Sequence, residues 1–159
     1  MKMFKAFQNF LVEQLEKTHL YEMAYNRSRY IDEVDNLLRQ LIENWCLIRY
    51  CTISGEKQEL KNHWKQELKA HIDNLAKISV KVDKTKTTRF ALIDQPESKN
   101  IDWIIQVISM KFDEENIDVD LPEVEEAATD LVEYGLDELV EIICAKYNYN
   151  NIKNYVNNI

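Results

Sequence analysis

Residues 31–48 read IDEVDNLLRQLIENWCLI, and the fold is decided here. Ile31, Val34, Leu38, Leu41, Trp45 and Ile48 recur at intervals of three and four. An α-helix turns once per about 3.6 residues, so this spacing stacks all six on one helical face. Leu37 and Ile42 widen the stripe. The period predicts a helix over about 29–52. Ser54 and Gly55 suit its end, because glycine takes the left-handed conformation that closes a helix.

The same period continues downstream. Leu60, Trp64, Leu68, His71 and Leu75, with Ile72 beside them, predict a helix over about 56–77. The link is short, so the two helices are expected to form an antiparallel hairpin. Upstream, Phe4, Phe7, Leu11 and Leu15 predict an amphipathic helix over 3–17. Glu13 and Glu16 interrupt its apolar stretch and no small-residue cleavage site follows, which argues against a signal peptide.

Beyond residue 77 the pattern changes. Residues 78–82 and 87–93 partly alternate apolar with polar side chains, and 83–86 are polar. This reads as a β-hairpin. Ile101, Ile104, Ile105, Ile108 and Phe112 then predict a helix over 100–115. Asp120 to Glu123 resembles a helix start, with Asp120 as cap, Pro122 in the first turn and Glu123 completing a capping box. Val124, Ala127, Ala128 and Leu131, then Leu136, Leu139, Val140 and Ile143, carry one period to about 147, with Gly135 ending or kinking it. Ile152, Tyr155 and Val156 suggest a short terminal helix. The expected fold is mainly α, a bundle of about five or six helices with a small β-hairpin insertion near 78–93. It is read as one domain over 1–159, comprising a helical hairpin region (1–77), the β-hairpin (78–95) and an acidic helical region (100–159).

Composition agrees with long helices. Of 159 residues 45% are hydrophobic, enough for a core and too many for a disordered chain. Gly and Pro number two each, against about eleven and about eight at average usage. Linker-rich, collagen-like and β-sandwich readings are therefore excluded. Apolar runs are only a few residues long, so no membrane span is expected. Cys46, Cys51 and Cys144, an odd and sparse set, read as free thiols in a reducing cytoplasm.

Charge is divided unevenly. Residues 1–89 hold 16 Lys+Arg and 12 Asp+Glu, a net of +4; residues 90–159 hold 4 and 16, a net of −12; together these give the chain's −8. From Phe112 to Ala145 there are 13 acids and no base. Asp113, Glu114, Glu115, Asp118, Glu123, Glu126, Asp130, Glu133, Asp137 and Glu141 are the candidate partner-binding set; Asp120, Glu125 and Glu138 complete the thirteen acids of the run. Such a run reads either as a solvated helix face or as a surface for a basic partner. Like charges four residues apart oppose a helix, so a single-sign stretch costs stability, which suggests a use. The partner would be a basic protein, and acid on this scale repels nucleic acid. By charge and size, a bacterial immunity protein, antitoxin or other inhibitor of a nuclease-type toxin or defence effector fits. The alternatives are a nucleic-acid-binding regulator, using Lys77, Lys81, Lys84, Lys86 and Arg89 on the predicted hairpin, or an oligomeric structural component. Those lysines read more simply as protection of an edge hairpin against aggregation.

No catalytic pattern emerges. Two glycines allow no phosphate loop. Cys46 and Cys51 are too far round a helix, and His63 and His71 too far along one, to share a compact metal site. The acids from Asp113 to Asp120 lack the glycine and twelfth-position Glu of a calcium loop. The expectation is a non-enzymatic protein without metal or small-molecule cofactor.

Overall fold

The computed structural model describes residues 8–13, 27–79, 97–144 and 149–159. After a helical stretch at 8–13 come α1 (Arg27–Ser54), α2 (Gln58–Ser79), α3 (Glu97–Glu114) and α4 (Pro122–Asp130). A π-helical turn (Leu131–Gly135) leads into α5 (Leu136–Cys144), and α6 (Tyr149–Asn157) follows. The described residues form an all-α bundle without strands.

α1 is the axis of the bundle. The apolar period foresees one buried face, but from Leu41 to Cys51 burial wraps round the helix. Leu41, Ile42, Trp45, Cys46, Leu47, Ile48, Tyr50 and Cys51 are all 1% exposed or less. Against them pack α2, α3, α4 and the π turn. A helix apolar on all sides has to be enclosed by others, and that is its position here.

The α1–α2 hairpin forms as expected. Gly55 has φ +72° and its N–H donates to the Cys51 carbonyl at 3.0 Å, the left-handed helix end the sequence predicts. The Tyr50 hydroxyl donates to Glu56 Oε2 at 2.7 Å, and Gln58 Nε2 to the Cys51 carbonyl at 2.7 Å, clamping the turn from both sides.

The expected β-hairpin begins inside a helix. α2 runs through Ser79, so Ile78 and Ser79 are helical. Ile78 lies three residues beyond buried Leu75, and the helical period therefore crosses the point where alternation starts. The rest of that hairpin, 80–93, lies outside the described residues.

At the end of α3, Asn116 (φ +58°) takes the position glycine usually fills, and the Ile117 N–H bonds the Phe112 carbonyl at 2.9 Å. Asp120 is not the cap of α4. Leu121 occupies that position without a side-chain bond, and Pro122 opens the helix. The Asp118 carboxylate instead accepts the Asp120 N–H at 2.9 Å, folding the turn that leads in.

Gly135 closes the π turn where the Trp45 indole meets the chain. A Cβ there would stand 2.6 Å from Trp45 Cζ2 and 2.9 Å from Cε2. The same indole donates from Nε1 to the Tyr155 hydroxyl on α6 at 2.9 Å, and Tyr134 meets it edge-on at 5.9 Å. Tyr155, on the short terminal helix, thus serves as an internal partner. The buried side chains of all these elements form one apolar cluster.

Candidate functional site

The acidic run occupies the end of α3, the following turn, α4, the π turn and α5. Packing fixes which way it faces. Val124, Ala127, Ala128, Leu131, Leu136, Leu139 and Ile143 are turned into the core, at most 1% exposed. The acids between them are left outward. Asp113, Glu114, Asp118, Asp120, Glu125, Glu126, Glu133, Glu138 and Glu141 are exposed, and Glu115, Glu123, Asp130 and Asp137 are half-buried.

These carboxylates divide by what they touch. Asp130 has a partner the sequence did not suggest. Arg49 Nε, reaching out from α1, meets its Oδ2 at 2.8 Å, while Arg49 Nη1 donates to the Ile159 carbonyl at 3.1 Å. Asp130 therefore ties α4 to α1 and the terminal residue. Lys111 lies 3.6 Å from Glu115 and 3.9 Å from Glu114 along α3, loose pairs of the kind worth little on a surface. Asp118 is engaged in its turn. Glu123, Glu125, Glu126, Glu133, Asp137, Glu138 and Glu141 have no basic side chain within ion-pair distance among the described residues. Partial burial, and next the Glu141 charge, raise the pKa of both Asp137 and Glu138. Crowding of like charge is thus felt on α5 itself.

The other predicted groups fall as follows. Lys77 lies in α2, and Lys81, Lys84, Lys86 and Arg89 lie outside the described residues. Cys46 and Cys51 are buried free thiols. Burial raises the Cys51 pKa to about 11, and that of Cys46 further. His63 is exposed and His71 half-buried, its pKa lowered by burial. Both line a groove of about 300 Å³ between α1, α2 and α3, with Glu43, Glu67, Arg39 and Lys111. Glu43 is raised there, chiefly by burial and against the pull of Arg39 at 3.2 Å. With Glu114, the groove sets three carboxylates against the two cations Arg39 and Lys111. No group of three or more His, Cys, Asp or Glu among the described residues is placed to hold a metal ion.

Sequence reasoning passed over a second charged surface. Lys61, Lys65 and Lys69 lie four apart on α2, and the last two line a concavity with Lys153 of α6. The i,i+4 spacing was a visible signal, but α6 is what makes a concavity of it. No helix among the described residues is long and apolar enough to cross a membrane. Comparison with protein-family models, with curated proteins and with solved structures finds no match.

Proposed function

We propose that this chain is a binding protein whose acidic face docks on a basic partner protein and covers that partner's active or nucleic-acid-binding site. An immunity protein, antitoxin or inhibitor directed at a nuclease-type toxin or defence effector would act in this way. The observation that carries the reading is the outward row of acids on α4, the π turn and α5 without cations near them among the described residues. An ordinary solvated helix face mixes signs and gains from i,i+4 pairs, whereas this one forgoes them. Single-sign surfaces speed association with an oppositely charged partner by about ten- to a thousandfold. The mechanism is electrostatic steering followed by steric block. No reaction by this chain is involved.

Glu126, Glu133 and Glu141 are the residues to reverse, because each is exposed and none carries an internal ion pair among the described residues. Asp130 has to be spared, since its loss would strip Arg49 of its partner and confuse folding with binding. The tagged protein should retain a basic protein from its native lysate at low salt and release it at high salt. Glu126→Lys, Glu133→Lys and Glu141→Lys together should abolish retention while leaving the thermal melt nearly unchanged. Retention of the same protein by the triple variant, at unchanged salt sensitivity, would reject the acidic face as the docking surface.

A further inference from the structure

The lysines of α2 carry a second site. Lys65 and Lys69 are half-buried on α2, and Lys153 approaches from α6 across a concavity of about 290 Å³. Asn62, Gln66 and Asn157 add carboxamides to its walls, and buried Val156 is the remaining lining residue. The lining contains three cations and no carboxylate, in a protein of net charge −8. One turn away, burial and then the charge of Lys65 lower the pKa of Lys61.

We propose that this concavity between α2 and α6 binds a compact polyphosphate, with Lys65 and Lys153 neutralising its charge and the three carboxamides donating to its oxygens. Lysine presents its charge as a point with three donors, which suits phosphate oxygens in several geometries. Size decides among anions. Ligand pockets begin at about 300 Å³, so the hollow suits two or three linked phosphates. An extended nucleic acid would be opposed by the chain's net charge of −8, over a far larger surface than a compact anion meets. The site is separate from the acidic face and does not depend on its role.

The probe is inorganic triphosphate, titrated calorimetrically into the full chain at low and at physiological salt. One-to-one binding is expected, surviving in part at the higher salt. Lys65→Gln combined with Lys153→Gln should weaken it by about a hundredfold, about tenfold for each charged donor lost. Lys111→Gln removes the same charge from the groove between α1, α2 and α3 and should leave affinity within about twofold. Circular dichroism melts would establish that all variants fold. The proposal is overturned if triphosphate does not bind, or if Lys111→Gln weakens it as much as a groove substitution does. It is equally overturned if the lysine substitutions abolish only a concentration-dependent self-association seen by light scattering, which would make the groove a seat for the acids of a second copy.

Discussion

Gly135 is unlike the other glycine in the chain. Gly55 is required by its backbone angle, whereas Gly135 is required by the absence of a side chain. The nearest atoms belong to the six-membered ring of Trp45, which is buried and tethered through Nε1 to Tyr155, so it has little freedom to retreat. Gly135→Ala should therefore destabilise the fold by about 1–3 kcal/mol, as overpacking of a close-packed interior does. A urea unfolding series would measure this, and a midpoint equal to or above that of the parent would show that the ring can yield. The tryptophan emission spectrum should shift with it. The sequence allowed Gly135 to end or to kink a helix, but the actual reason needed a contact ninety residues away.

Among the elements, legibility followed periodicity. α1, α2, α3 and α6 were readable because their apolar residues recur at helical intervals, and the observed ends differ from the expected ones by a few residues. The enclosure of α1 was also written in the chain, since Arg49 is the only charged residue between Glu43 and Glu56. Caps were less readable. Backbone geometry placed Leu121 at the cap where side-chain chemistry had suggested Asp120, and it turned the chain at Asn116, for which the sequence offered no glycine. The Arg49–Asp130 pair, 81 residues apart in sequence, left no local trace at all. Its role as a cross-brace leads to a prediction. Arg49→Met should cost about 1–3 kcal/mol, because a partly buried carboxylate loses a charged donor. Asp130→Ala should cost far less in that background than alone. Additive losses in such a double-mutant cycle would mean that the two side chains do not support each other. The candidate acidic site was legible as a run of letters. Its division into outward carboxylates and one structural carboxylate was not, because that depends on which core residues turn α4 and α5 inward.

At the scale of the whole molecule the fold carries an excess of negative charge that its interior does not need. Glu43, Asp137 and Glu138 all have pKa values raised first by burial, and neighbouring acids add to the effect. A carboxyl whose pKa is higher folded than unfolded binds more protons in the folded state across the interval between the two values. Stability from these groups is therefore fully present below the ordinary carboxyl pKa and is lost as pH rises through the raised one. For Glu43 the window opens near 4.5 and extends upward. The urea midpoint should accordingly be higher at about pH 5 than at about pH 7, and Glu43→Gln should remove part of that slope. A midpoint that falls on acidification would show that these buried carboxyls do not govern the pH dependence of stability.

The enclosure of α1 also furnishes the protein with a clock. Cys46 and Cys51 lie on the axis of the bundle, fully covered by its other helices. A thiol reagent reaches such groups only during the moments when the surrounding helices part, so its rate of capture counts those openings. Mass mapping would separate the two positions. Cys51, near the α1–α2 turn, would register fraying of the hairpin end, and Cys46, deeper along the helix, would register separation of the bundle as a whole. A docked partner that holds α4 and α5 in place would slow the second reading more than the first.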